Sequence, residues 1–151
     1  MIRIICIGKL KEQYIVNLVE DYLKRINKYH KIAVLELKDS NKKEENEKIL
    51  NKLENKNYII ALSPNGSKID SVNFANLIED NLIKYANIDF IIGGSEGLSE
   101  EVLNKANYIL SFSDLTFPHG LFRGILLEQI YRAFKILKNE TYHKWGILWK
   151  I

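Results

Sequence analysis

The chain has 151 residues, with 22 Lys+Arg against 19 Asp+Glu and a formal net charge of +3. That length accommodates one domain, 1–151, with a sizeable core, and excludes a multi-domain machine. At 46% hydrophobic residues and only 2 Pro it is no disordered chain, and its slight positive excess permits an anionic partner such as RNA without demanding one.

Ile2 to Ile7 is a short apolar run ending at Gly8, which predicts a first strand. It is too short for the apolar stretch of a signal peptide, and no run in the chain approaches the roughly 20 residues of a membrane span, so a soluble, cytoplasmic protein is expected. The strand holds Cys6, the only cysteine, which excludes an internal disulfide and a cysteine-based zinc site and reads as a small buried hydrophobe. Ile15, Leu18, Val19, Tyr22, Leu23 and Ile26 then recur at helical spacing. Ile32 to Leu37 is a second strand. Asp39 to Asn57, highly charged with few apolar residues, predicts a solvent-facing helix.

Tyr58 to Ser63 reads as a buried strand closed by a turn at Pro64, Asn65 and Gly66. A helix over about Ser71 to Tyr85 follows, then a strand from Ile88 to Ile92 stopped by Gly93 and Gly94. Ser99, Glu100 and Glu101 form a helix start with acidic residues where the dipole favours them. Tyr108 to Phe112 is the last strand, and beyond Pro118 a long helix carries Leu121, Ile125, Leu126, Ile130, Phe134 and Leu137. Five apolar strands alternating with helices predict an α/β fold with a mostly parallel sheet covered on both faces.

In such sheets ligands bind beyond the carboxyl ends of the strands, which directs attention to the loops after Ser63, Ile92 and Phe112. The glycines of Gly93-Gly94-Ser95-Glu96-Gly97 let a ligand approach the backbone or supply positive φ, so a side chain at Gly93 is expected to fill ligand space. Neither a dinucleotide fingerprint nor a Walker loop is present. Hydroxyls alternating with Leu115 and Phe117 in the third loop suit a ligand with polar and apolar parts, as a nucleoside has. On the final helix Glu128 and Arg132 share a face, with Arg123 a turn and a half earlier; their simplest reading is a surface ion pair. Tyr142, His143 and Lys144 follow, a group able to stack on a base, contact phosphate or take a proton.

The blocks Ile92 to Leu98, Leu110 to His119, Leu127 to Ala133 and Tyr142-His143-Lys144, with the opening Ile7-Gly8-Lys9-Leu10-Lys11-Glu12, resemble the RlmH family. These are SPOUT-class methyltransferases of N3 of a pseudouridine in large-subunit (23S) ribosomal RNA. The resemblance implies a SPOUT α/β-knot fold with a C-terminal trefoil knot, S-adenosyl-L-methionine as methyl donor, and a homodimer whose active site spans both subunits. It assigns Leu62, Gly93, Gly94, Phe112, Ser113, Asp114, Leu115, Thr116 and Phe117 to the cofactor. His119 and Arg123 fall to the RNA, and Glu128, Arg132, Tyr142, His143 and Lys144 to the chemistry.

Such a transfer is a direct displacement, which asks mainly for alignment and for loss of the N3 proton. His143 is the preferred base, with Arg132 and Lys144 as cationic alternatives and no metal required. Two features depart from the family. The chain continues through 145–151, an apolar extension with two Trp, and Gly124 stands inside the long helix, where it permits close helix contact at the knot or across a dimer. The alternative is a SPOUT-like homodimer that binds RNA without catalysis. A hydrolase is disfavoured, because no Ser or Cys elbow and no metal-ligand spacing is present.

Overall fold

The computed structural model describes residues 1–144. Its elements, in chain order, are β1 (Ile2–Ile7), α1 (Gln13–Asn27), β2 (Ile32–Leu37), α2 (Lys42–Leu50), β3 (Tyr58–Lys68), α3 (Ser71–Lys84), β4 (Ile88–Ile91), α4 (Glu100–Lys105), β5 (Tyr108–Ser111) and α5 (His119–Leu137). The strands form one sheet in the order β2-β1-β4-β3-β5, every neighbouring pair parallel. The two-residue period of the central strands divides the core. Ile2, Ile4 and Cys6 of β1 face one way with Ile60, Phe90, and the buried stripes of α1, α3 and α5. Ile5 and Ile7 face the other way with Ile59, Ile91, Ile49 of α2 and Val102 of α4.

Three helix starts are set by side-chain caps. Asn41, Asp70 and Ser99 accept hydrogen bonds from the backbone N–H of Glu44, Asn73 and Val102, at 2.9, 2.8 and 3.3 Å. No helix among the described residues is long and apolar enough to cross a membrane.

Two sequence expectations are corrected. The charged second helix is not simply solvent-facing, because Glu45 and Asn46 are 5% and 3% exposed and Ile49 is fully buried. The turn at Pro64-Asn65-Gly66 does not end β3. The strand runs on to Lys68, and its register on β5 shifts so that Leu62 and Ser67 both oppose Leu110, with residues 63–66 bulged out between them. Gly124 also finds its role. A Cβ there would lie 2.5 Å from Leu18 Cδ2 of α1, so this glycine lets α5 and α1 pack closely within one chain.

Just past the end of α1, the His30 ring stacks on Phe134 at 5.9 Å with Nε2 buried and unpartnered among the described residues. Desolvation pushes its pKa below the ordinary 6.5, and the positive N-terminus pushes it further down. The unfolded chain then binds the proton more readily, so stability falls as pH drops through 6.5 toward the lower folded-state value. Thermal unfolding followed from roughly pH 7.5 to 5 should show that decline, and His30→Phe should flatten it. An equally steep decline in the variant would remove His30 as a contributor.

Candidate active site

The carboxyl ends of β3, β4 and β5 lie side by side, which brings the loops after Leu62, Ile92 and Ser111 together. Leu62 is buried at the last regular β3 position before the bulge. Gly66, inside the bulge, passes directly over β5: a Cβ there would sit 2.6 Å from the Ile109 carbonyl oxygen.

The glycine loop after β4 is a tight turn in which Gly97 N donates to Gly94 O at 3.0 Å. Gly97 takes φ +82, a left-handed conformation that glycine adopts without strain. One polar residue of α2 fastens this turn and a second packs against it. Asn46 Oδ1 accepts from Ser99 N at 2.8 Å, and its Nδ2 donates to Gly97 O at 3.4 Å. Glu45 accepts from Ser40 N at 2.9 Å, and its carboxylate fills the space where a Gly94 side chain would begin.

The expected reason for Gly93 is corrected on the same ground. A Cβ on Gly93 would lie 2.8 Å from the Gly97 carbonyl carbon, so the glycine is required by the loop's own backbone and not by open ligand space on that side. Gly93→Val is expected to cost about 1–3 kcal/mol before any ligand is added, measured by urea unfolding. Parental stability in that variant would return Gly93 to a purely ligand-facing role.

The β5 loop is pinned by aromatic contacts and by its own hydroxyls. Phe112 meets Phe74 and Phe122 edge-on at 6.0 and 5.1 Å, and Phe117 stacks on Phe122 at 6.1 Å. Ser111 donates to Ser113 O, and Ser113 Oγ accepts from Leu115 N at 2.9 Å. The outer part of the loop is open: Thr116 is exposed, Asp114 pairs with Lys68 at 2.5 Å, and Leu115 is 75% exposed. Behind it lies a cavity of about 500 Å³ bordered by Phe74, Ser111, Phe112, Phe117, Gln129 and His143. Of the residues the resemblance assigns to cofactor and chemistry, Phe112, Phe117 and His143 border this space, whereas Leu62, Gly93, Gly94 and residues 113–116 do not.

Glu128, Arg132, Tyr142 and His143 come together beside that cavity. Arg132 Nη2 and Nε donate to the two Glu128 oxygens at 3.0 and 3.4 Å. Tyr142 OH donates to Glu128 Oε2 at 3.0 Å, and the guanidinium lies 4.8 Å from the Tyr142 ring centre. Arg132 Nη1 reaches His143 Nδ1 at 3.1 Å. Glu128, Arg132 and Tyr142 are half-buried and His143 is exposed, so a network with an open end replaces the simple surface ion pair expected for Glu128 and Arg132. Burial, with the hydrogen bonds to Tyr22 and Glu128, holds the Tyr142 phenol well above its ordinary pKa and therefore protonated. Lys144 and His119 are exposed, and desolvation together with the Arg123 charge pushes the His119 pKa down.

Arg123 is placed differently from its assignment to RNA. It is 2% exposed, paired with Glu36 at 2.5 Å and donating to the carbonyls of Ile7 and Gly8 at 3.4 and 3.1 Å. A guanidinium so enclosed ties α5 to the carboxyl ends of β1 and β2 and offers no surface to a substrate. The extension at 145–151, where a change in the geometry of Tyr142 and His143 was foreseen, lies outside the described residues.

Comparison with known proteins settles the family. The description "Predicted SPOUT methyltransferase" matches residues 1–143. The chain belongs to the SPOUT methyltransferase family. Among SPOUT relatives, the ribosomal RNA large subunit methyltransferase H of Clostridium novyi (strain NT) is 48% identical, over 95% of this chain and 99% of its own. The proteins of the same name from Clostridium perfringens (strain 13 / Type A) and Carboxydothermus hydrogenoformans are 43% and 45% identical, each over 95% of this chain and 99% of its own. The solved structure of a probable methylase family protein from Haemophilus influenzae Rd KW20 has a TM-score of 0.59 at 13% identity, covering 95% of this chain and 70% of that one. A probable methyltransferase from Bordetella pertussis Tohama I has a TM-score of 0.53 at 11% identity, covering 88% and 93%. These two likenesses show the fold alone.

The sequence reading of this SPOUT chain missed Glu45, Asn46 and Gln129. Gln129 borders the cavity, where Ser71 Oγ donates to its Oε1 at 2.7 Å. For Glu45 and Asn46 the only sequence signal was their place one turn before Ile49 in a helix otherwise rich in Lys and Glu, which reads equally well as a solvated face.

Proposed function

We propose that this single SPOUT domain, with the C-terminal knot its family resemblance implies, is an S-adenosylmethionine-dependent methyltransferase of N3 of a pseudouridine in large-subunit ribosomal RNA. It works as a cytoplasmic homodimer. The observation that carries the reading is the match, at 43–48% identity over 95% of this chain, to relatives named ribosomal RNA large subunit methyltransferase H. The cavity supports it, since about 500 Å³ lies within the roughly 300–1,000 Å³ of small-ligand sites. Its aromatic walls and polar rim suit a ligand carrying a nucleoside.

S-adenosylmethionine supplies a methyl group on a sulfonium that departs as a neutral thioether. Leu62 and the loop Phe112 to Phe117 hold this donor, with Gly93 and Gly94 forming the adjoining turn. Exposed His119 and Lys144 meet the RNA. Arg123 acts indirectly, by anchoring α5 against the sheet. Glu128, Arg132, Tyr142 and His143 position the base, and alignment of donor and acceptor accounts for most of the rate gain. A domain of this size gathers charge for a ribosomal substrate by pairing two +3 chains around a shared site.

The test is incubation with labelled S-adenosylmethionine and ribosomes from a strain lacking the modification. Label is expected on large-subunit RNA, recovered as N3-methylpseudouridine in a nucleoside digest, and sedimentation should give a dimer. Unlabelled RNA with well-folded protein would overturn the reading.

A further inference from the structure

His143 is the one imidazole that borders the cavity, and its Nδ1 is already engaged. The partner, Arg132 Nη1 at 3.1 Å, belongs to a guanidinium that has only donors and stays charged. Arg132 cannot simply turn away. Both Glu128 oxygens hold it, Glu128 is itself held by Tyr142 OH at 3.0 Å and Gln129 Nε2 at 2.9 Å, and the Tyr142 ring covers the guanidinium. Nδ1 therefore presents its lone pair, and in the neutral ring the proton must sit on Nε2.

We infer that Arg132, clamped by Glu128, fixes His143 in the Nε2–H form, so that His143 donates a hydrogen bond to the target base instead of removing its N3 proton. Among the described residues, the nitrogen left for a ligand then carries a proton already, and the nitrogen with a lone pair is occupied. This rests on the methyltransferase reading above and reverses the role expected for His143. A pyrimidine N3 lies between two carbonyls, and loss of its proton spreads negative charge onto their oxygens, where a fixed donor stabilises it. The balance is complete with solvent. Hydroxide takes the N3 proton and becomes water, the N3 lone pair forms the bond to the methyl carbon, and the carbon–sulfur bond breaks with its electrons going to sulfur. Glu128 and Arg132 are positioning residues in this scheme, acting through the histidine.

The deciding measurement needs no substrate. In the full-length protein with nitrogen-15-labelled histidine, long-range proton–nitrogen spectra distinguish the tautomers of the three histidines, with His30→Phe and His119→Asn used for assignment. His143 is expected as the Nε2–H form, passing to a mixture in Arg132→Met. A parental ring protonated on Nδ1, or an even mixture, overturns the inference whatever reaction the protein performs. Single-turnover methyl transfer supplies the second arm. His143→Leu should lose roughly 10²-fold in rate, and His143→Gln, whose amide restores a donor and an acceptor, should recover most of it, with the rate still climbing with pH beyond neutrality. A parental rate that levels off near neutrality, together with no recovery in His143→Gln, identifies a histidine base and also overturns the inference. A correct tautomer in a parent protein that methylates no ribosomal RNA overturns the methyltransferase reading and, with it, the donation to a base, while the Arg132–His143 geometry stands.

Discussion

Arg3→Met is expected to destabilise the protein by about 3–5 kcal/mol in urea unfolding, out of the roughly 5–15 kcal/mol that typically holds a domain together. The reason is Asp89, a carboxylate at 0% exposure in β4, which runs between β1 and β3. Arg3 Nε and Nη2 each donate to one of its oxygens at 2.7 Å, and Asn57 Nδ2 adds a third bond at 3.0 Å. Asn57 is in turn oriented by Asn87 at 3.0 Å. Without the guanidinium, a buried charge keeps a single amide partner. Replacing both partners, Arg3→Met with Asp89→Leu, should recover most of the loss, because no unpaired charge then remains. A double variant no more stable than Arg3→Met would show that packing around Arg3, and not the stranded carboxylate, carries the effect.

Gly66→Ala is the second large effect, expected at about 3 kcal/mol. The added Cβ would come within 2.6 Å of Ile109 O and 2.7 Å of the carbonyl carbons of Ile109 and Leu110. Those are β5 backbone atoms, which cannot rotate aside, so β3 and β5 must separate locally. Because the end of β5 leads into Ser111, Phe112 and the cavity, calorimetry should also show weaker S-adenosylmethionine binding. Gly124→Ala is the control. Its Cβ would press on the tip of Leu18, a half-buried side chain that can turn, so the cost should stay below about 1 kcal/mol. Equal losses in the two variants would defeat the distinction between backbone and side-chain crowding.

The same contrast marks how much was legible in the sequence. Ile2 to Ile7 and Ile32 to Leu37 are strands with the bounds their apolar runs indicate, and the helices after Ser71 and Pro118 begin as expected. Pro64-Asn65-Gly66 has the composition of a turn, yet forms a bulge within a strand of 11 residues. Composition reports what the backbone can do locally, whereas the continued pairing depends on β5, more than forty residues away. The candidate site follows the same pattern. The Gly93 loop and Phe112 to Phe117 were recognisable as unusual loops at strand ends, but Asn46 and Glu45 were indistinguishable from a solvated helix face.

The sequence by itself determined the α/β alternation, the parallel sheet, the loops at its carboxyl ends and the family, because apolar periodicity and motif order are properties of neighbouring residues. Only the tertiary structure decided which polar groups are enclosed and what each one faces. Arg3 meets Asp89, Arg123 meets Glu36, and Arg132 meets His143 beside the cavity. The physical reason is that burial raises the cost of an unpartnered charge and limits the hydrogen bonds a ring or guanidinium can make. Arg123 thus became a tie within the core, and His143 a ring with one nitrogen already committed.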